Sequence, residues 1–356
     1  MRLALKYRPH QFSDLVGQEH VSTVLKETIK RQAVPAGLIF SGTRGTGKTT
    51  TARILAASLN CTNRPQSSSE PCGQCDYCKA VESSNCQFVH EIDAASNNSV
   101  DNIRTLKESA LYSHEGDWRI FILDEAHNLS KSAFEALLKQ IEEPPPNTAF
   151  VMATTNPDDI PDTIMSRSMR FDFKRMSVDL TVKRLKYICQ CENINIQDEK
   201  ILYAISERAT GAMRDAIMCL EQLSNYKADL TLQDFYQYFG LVGKEVYRAM
   251  IDLARKADII TAKKLIQDNF SRGVDVGYFL DTFLDCVGDD LATKVLNDEQ
   301  AIAVYRAAVE IKSRLKHLNA DTAMMFLMTL LLRAFHVDVS VGKVEATVDD
   351  FNTLMN

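Results

Sequence analysis

Residues 42–50 read GTRGTGKTT, between an apolar run at 37–41 and a helical run at 51–59. This is GxxxxGK followed by Thr, in the order strand, loop, helix, and it constrains the fold more than any other feature of the chain. Gly42, Gly45 and Gly47 let the backbone turn its N–H groups toward phosphate oxygens with no Cβ in the way, and the helix N-terminus adds its dipole. The loop, with Thr43, Thr46 and Thr50, is a candidate nucleotide cradle rather than a merely structural glycine turn. Lys48 would reach the β- and γ-phosphates and Thr49 would ligate Mg²⁺. Such a loop needs a parallel sheet behind it. Short apolar runs alternating with helical segments predict one, with strands at 38–41, 88–92, 119–123, 149–154 and 170–173. Farther on, Ile201, Leu202 and Ile205, then Leu241, Val242 and Val246, fall at helical spacing, so the second half is expected to be all helical.

The second constraint lies in FILDEAH at 121–127, an apolar strand ending in two adjacent acids. A carboxylate at the C-terminal edge of a strand can orient Mg²⁺, and its neighbour can hold and polarise an attacking water. Asp124 is assigned to the metal and Glu125 to the water. Adjacent acids also end strands on solvated turns; coupled to the phosphate loop, they become the second half of an ATPase site.

Four of the nine cysteines, Cys61, Cys72, Cys75 and Cys78, have ten, two and two residues between them, and PCGQCDYC supplies the tight end. Successive CxxC turns aim thiolates at one centre, and a fourth ligand from the end of the preceding helix closes a Cys₄ site for Zn²⁺. Four protein ligands leave no place for water, so the site is expected to be structural. The alternative is a set of buried free thiols, and Cys86 is the substitute ligand if one of the four is wrong. Residues 63–71, with Pro65, Gln66 and three serines, form a connector, and 60–86 is an insertion between the phosphate-loop helix and the next strand.

Composition narrows the class. At roughly 150 residues per domain, 356 residues make two or three domains. Forty-one basic against 47 acidic residues give a net charge of −6, which speaks against coating nucleic acid by bulk charge but permits a local basic track. No window approaches the roughly 18 apolar residues of a membrane span, the longest run being 323–332. Residues 1–12 scatter Arg2, Lys6, Arg8 and His10 among single apolar residues, with no secretory core. A cytoplasmic protein with no membrane partner is expected.

The order of the phosphate loop, LDEAH, ATTNP at 153–157, SRS at 166–168 and GAMRDA at 211–216 resembles the AAA+ ATPases. More narrowly, KYRPHQFSDLVGQEH at 6–20, IFSGTRGTGKT, EIDAASNN and LLKQIEEPPP resemble the gamma/tau family of bacterial DNA polymerase III, the motors of sliding-clamp loaders. The similarity runs from Leu5 to about Leu223 and fades in the last third. It implies an AAA+ nucleotide-binding domain at 1–174, a small helical lid at 175–240 and an all-α collar for oligomerisation at 241–356. The chain as read ends at Asn356, so a short gamma-like form without the tau tail is expected.

The same resemblance assigns roles. Tyr7, Arg8, Val16 and Gly17 match the segment lining the adenine pocket, a stretch that also suits a plain turn and helix start. Thr155 takes the sensor-1 place, where neighbouring Asn156 has the same chemistry. Arg214 matches sensor 2, which touches the nucleotide of its own subunit. Arg167 matches the arginine finger, which reaches into the ATP of a neighbouring subunit, and Ser168 stands where the family usually has Cys. A transferring γ-phosphoryl group spreads charge over its equatorial oxygens, and a guanidinium supplied there is worth about 10³ to 10⁵ in rate in comparable NTPases.

Implied partners are delta- and delta-prime-like loader subunits, copies of the same chain in a pentameric ring, the sliding clamp, and primer–template DNA gripped by its phosphates. Residues 96–104, SNNSVDNIR, with Ser99 as cap and Arg104 as cation, read equally as a DNA-contacting helix start and as a loop around Asn97 and Asn98; Lys139 is a further candidate contact. Toward the C-terminus, 302–315 and 322–335 carry apolar residues on more than one face, including Met324, Met325, Phe326, Met328, Leu330 and Leu331. They serve either the core or an intersubunit surface. The expected function is an ATPase motor that opens and places the clamp. A non-catalytic nucleotide-binding scaffold subunit and another AAA+ DNA-remodelling ATPase stand as alternatives.

Overall fold

A computed structural model describes residues 2–65, 67–96, 117–270, 274, 276–292, 298–314, 327–329 and 331. Five parallel strands, β1 (Gly37–Ser41), β2 (Val89–Asp93), β3 (Arg119–Asp124), β4 (Thr148–Thr154) and β5 (Met169–Asp172), lie in the order β2-β3-β4-β1-β5. Each lies within a residue of its sequence prediction. β1 and β4 are buried along their whole length because helices cover both faces of the sheet, which is why they read as unbroken apolar runs. Alternation along the strand then sorts the side chains. Leu38 and Phe40 join a core with Val21, Leu25 and Ile29 of α2 (Glu19–Lys30) and with Ile54 and Leu55 of α3 (Lys48–Asn60). Ile39 faces the opposite core, with Phe121, Leu123, Met152 and, from the helix Lys131–Glu142, Phe134 and Leu137.

The register brings the ends of the strands level: Ser41 lies opposite Thr154 and Asp172, and Asp93 opposite Asp124. The phosphate loop leaves β1 at this edge, where β1 lies between β4 and β5. Open parallel sheets bind ligands in that crevice outside the carboxyl ends of their strands. Three helices follow, Val178–Glu192, Lys200–Arg208 and Met213–Tyr226, packed on one another, and Leu185, Ile188, Ile205, Leu220 and Leu223 are buried on them. Ser177 starts the first of them as an N-cap, accepting from Leu180 N–H. The all-helical expectation for the second half misses two short strands, Asn195–Ile196 and Asp229–Leu230; the Asn195 amide donates to Asp229 Oδ1 at 2.7 Å.

The chain divides into two compact units, Met1–Asp229 and Leu230–Asn356. The lid helices fall in the first unit with the sheet, and the helix Leu232–Phe239, given to the lid by sequence, falls in the second. That helix ends on Gly240 in the left-handed region, and Leu241 N–H returns to Tyr236 O, leading directly into Lys244–Arg255. The second unit packs Tyr247, Met250, Phe279, Phe283, Val304, Ile311, Leu327 and Leu331 into one core. The helix Asp298–Arg314 buries Ala301, Val304, Ala308 and Ile311 while Ile302, Tyr305 and Val309 are exposed on it, so it carries two apolar stripes. Leu327, Met328 and Leu331 are core residues; Met324, Met325, Phe326 and Leu330 lie outside the described residues. Among the described residues no helix is long and apolar enough to cross a membrane.

Candidate active site and cysteine centre

The phosphate loop is built to be occupied by backbone alone. Gly42 has φ +148°, and a Cβ there would stand 2.5 Å from Phe173 O. The Lys48 ammonium, buried at the start of α3, donates to Gly42 O at 2.7 Å and Thr43 O at 3.1 Å. Burial lowers its pKa, and the nearby Glu125 and Asp124 carboxylates oppose that shift. Thr49 Oγ1 donates to Asp124 Oδ2 at 2.9 Å, so the two predicted metal ligands meet although they come from different elements. That separation is close to one edge of an octahedron with ligands at about 2.1 Å, roughly 3.0 Å, so the pair fits Mg²⁺.

Glu125 follows the end of β3 in the left-handed region at φ +48°, a backbone state rare for a non-glycine residue and common at functional sites. Its Oε2 accepts from Thr155 Oγ1 at 3.2 Å. His127 Nδ1 lies 3.6 Å from the same oxygen and 3.0 Å from Thr154 Oγ1. The sequence reading of LDEAH omitted His127. Nothing in one sequence distinguishes it from a surface histidine; its proximity to Glu125 comes from the turn Ala126–Asn128 folding back toward β4.

Around this edge lies a cavity of about 920 Å³. Its wall includes Tyr7, Arg8 and Val16, the loop from Gly45 to Thr50 with Thr46, and Asp124, Glu125 and Arg214. Six cationic side chains, Arg2, Arg8, Arg44, Lys48, Arg184 and Arg214, border it together with five carboxylates, Asp14, Asp93, Asp124, Glu125 and Glu221, so it offers both phosphate-binding and metal-binding groups. Burial lowers the pKa of Arg8, and neighbouring Arg53 and Arg214 add to that while Glu91 opposes it. Gly17 is not part of the wall; a Cβ there, at φ +70°, would meet Leu180 and Met176 at 3.5 Å. Gly42 and Thr43 contribute through the carbonyls that hold Lys48.

The sequence reading gave no role to Arg184 and Gln18, which join the N-terminal segment to the rest of the unit. Arg184 Nη2 donates to Tyr7 O at 3.2 Å, and Gln18 exchanges two hydrogen bonds with the Lys174 backbone. Tyr7 O–H donates to Glu192, and burial, with that carboxylate close by, pushes its pKa up.

Arg167 stands outside the cavity wall. Its Nε pairs with Glu142 Oε1 at 2.6 Å and its Nη1 donates to Thr163 O, both partners of the ion pair being about half exposed. Beside it, the Ser168 Oγ is buried against the Gly37 backbone, where a Cβ would lie at 2.4 Å, and it has no hydrogen-bond partner. A sulfur at this position would lack that unmet polar demand. The 97–104 segment lies outside the described residues.

The four cysteines converge. Cys61, Cys72, Cys75 and Cys78 have all Sγ atoms within 4.8 Å of one another, and Cys86 is not in that group. The Cys72–Cys78 and Cys61–Cys75 pairs stand 4.0 and 3.9 Å apart, close to the edge of about 3.8 Å for a tetrahedron with 2.3 Å metal–sulfur bonds. Backbone N–H groups of Gln74 and Cys75 point at Cys72 Sγ, and that of Cys72 at Cys61 Sγ. Burial raises Cys75, but hydrogen bonds from Cys78 and Thr62 outweigh it and bring the thiol down to about 6. Cys61 and Cys78 are pushed up by burial. The soft donor set and its spacing fit Zn²⁺. Cys86 packs beside the module.

The sheet order and the cavity at its edge define a P-loop nucleotide-binding unit of the AAA+ type with a helical lid. The comparisons agree. A family model described as DNA polymerase III, delta subunit, matches residues 17–177, and one described as an RCF1/5-like AAA+ ATPase lid domain matches 183–224. The Thermotoga maritima RuvB Holliday junction branch migration motor superposes with a TM-score of 0.51 at 18% identity over 80% of this chain and 88% of that one, a likeness of fold. In sequence, the chain is 38% identical to DNA polymerase III subunit gamma of Buchnera aphidicola subsp. Acyrthosiphon pisum, over 77% of this chain and 75% of that protein. It is 36% identical to DNA polymerase III subunit tau of Bacillus subtilis, over 81% of this chain and 51% of that protein. The chain belongs to the DNA polymerase III gamma/tau family. It spans about half the length of the first curated relatives it matches.

Proposed function

We propose that this chain is the ATPase motor of a clamp loader: ATP binding opens a sliding clamp for placement on primer–template DNA, and hydrolysis releases it. The observation that carries this reading is the meeting of Lys48, Thr49, Asp124, Glu125 and Arg214 around one cavity, with Arg167 held outside it. Adenine lies against Tyr7, Arg8 and Val16, which the turn at Gly17 follows. The backbone of 42–47 and Lys48 bind the phosphates, and Arg214 touches them from the lid. Thr49 and Asp124 would hold Mg²⁺, which would supply positive charge beside the bound phosphates. Glu125, aligned by Thr155, orients the attacking water and takes its proton. Arg167 completes the site of the next subunit, so turnover depends on assembly.

The functional parts in this reading are a base at 1–174, a lid at 175–240 and a collar at 241–356, in which the second apolar stripe of Asp298–Arg314 meets neighbouring subunits. Delta- and delta-prime-like subunits and further copies of the chain make a pentamer in the cytoplasm. DNA is held by its phosphates. Steady-state ATP hydrolysis by the chain mixed with partner subunits tests this, adding clamp and primed DNA separately and together. Stimulation that needs both supports the motor; turnover indifferent to both rules out clamp loading. The Cys₄ module holds one structural Zn²⁺, and elemental analysis of the purified chain is expected to find one zinc per chain.

A further inference from the structure

Glu70 belongs to the connector before the cysteines, two residues from Cys72, and its carboxylate is fully used. Oε2 accepts Phe12 N–H at 2.7 Å, Oε1 accepts Ser13 N–H at 3.1 Å, and Oε1 pairs with Lys26 Nζ of α2 at 2.6 Å. The carbonyl of Pro71 accepts from Gln11 Nε2 at 3.3 Å. Residues 70–71 thus hold 11–13 at three points. Phe12 and Ser13 open the 3₁₀ turn Phe12–Asp14, whose first N–H groups have no partner inside the turn. Charged acceptors there make hydrogen bonds about twice as strong as neutral ones.

Both ends of this tether lead to a site. On one side the backbone runs from Phe12 to Leu15 and Val16, which line the cavity, and Phe12 and Leu15 are anchored in the core beneath it. On the other side Cys72 follows within two residues, and its N–H bonds to Cys61 Sγ at 3.2 Å. The position of the Glu70 carboxylate is therefore fixed by the same short stretch that fixes two of the four thiolates.

We propose that Glu70 is a positioning residue that ties the Cys₄ module to the segment lining the nucleotide cavity, so that metal binding and nucleotide binding favour each other. This rests on the nucleotide reading of the cavity. Each ligand fixes one end of a shared tether, and a coupling of this kind is reciprocal in affinity.

The test uses the full chain as purified. Calorimetry gives the Mg–ATP affinity, competition with a colorimetric zinc chelator gives the zinc affinity with and without ATP, and hydrogen exchange follows the amides of 12–16. Glu70→Ala is expected to keep one zinc per chain, to weaken ATP binding about tenfold, and to speed exchange at Phe12 and Ser13. Glu70→Gln, which keeps one acceptor oxygen, falls between. In the wild type, ATP raises zinc affinity by the same factor by which zinc raises ATP affinity; in Glu70→Ala it does not.

Wild-type ATP affinity in Glu70→Ala, or zinc affinity indifferent to ATP in the wild type, overturns the proposal. Loss of zinc from Glu70→Ala also overturns it, making Glu70 a support of the module alone. A wild type that binds zinc but no ATP overturns the nucleotide reading instead. The exchange of amides 12–16 with zinc bound and removed then decides the tether by itself.

Discussion

Replacing Arg167 with alanine is expected to lower ATP turnover by about 10³-fold or more in the assembled loader, and to leave the ATP affinity of the isolated chain unchanged. The geometry supports the second half, and the first follows from the proposed role of Arg167 in a neighbour's site. In its own chain the guanidinium is engaged by Glu142 and Thr163 O, outside the cavity wall, so no bond to the chain's own nucleotide is lost. The Glu142 pair is about half exposed on both sides, and such pairs are worth about 0–1 kcal/mol, so release toward a neighbour's γ-phosphate costs little. Single-turnover hydrolysis and nucleotide titration, each on the isolated chain and on the reconstituted complex, check it. An equal loss in the isolated chain would place Arg167 in its own site, and an undiminished rate in the complex would remove the finger.

Glu125→Gln is expected to lower turnover by about 10² to 10⁴-fold while ATP still binds within a factor of a few. Glutamine keeps the volume and an oxygen for Thr155 Oγ1, so the left-handed turn at φ +48° and the ladder beneath it persist. What goes is the ability to take a proton from water. Phosphate release against nucleotide affinity measures the split. Equal losses in binding and turnover would make Glu125 a nucleotide-binding residue, and unchanged turnover would take it out of the reaction. Thr155→Ala should produce a smaller loss in the same direction, because it disturbs only the alignment of the carboxylate.

The strands were legible because β1 and β4 are covered on both faces and therefore apolar throughout, and the phosphate loop was legible because only glycine tolerates Gly42's approach to Phe173 O. The Cys₄ set was legible by spacing: CxxC turns bring sulfurs together locally whatever the rest of the fold does. The short strands at Asn195–Ile196 and Asp229–Leu230 were missed because two-residue strands carry no periodicity. The compact unit into which the helix Leu232–Phe239 falls is decided by packing, and amphipathic helices of either unit look alike in sequence, so that division is not legible there.

Local chemistry was thus determined by the sequence alone: which loop can approach phosphate, which strand ends in acids, and which thiols meet. Pairings between distant segments were decided only by the tertiary structure. Thr49 meets Asp124 because β1 and β3 end level on one edge of the sheet, with β4 between them. Arg167 is apart from its own cavity because it just precedes β5, at the amino end of the sheet, whereas the phosphate loop leaves the carboxyl end of β1; there it pairs with Glu142. Glu70, an unremarked acid in a polar connector, becomes the partner of two backbone amides 57 and 58 residues away. Such contacts depend on where the chain returns to itself, and no residue pattern along one segment carries that information.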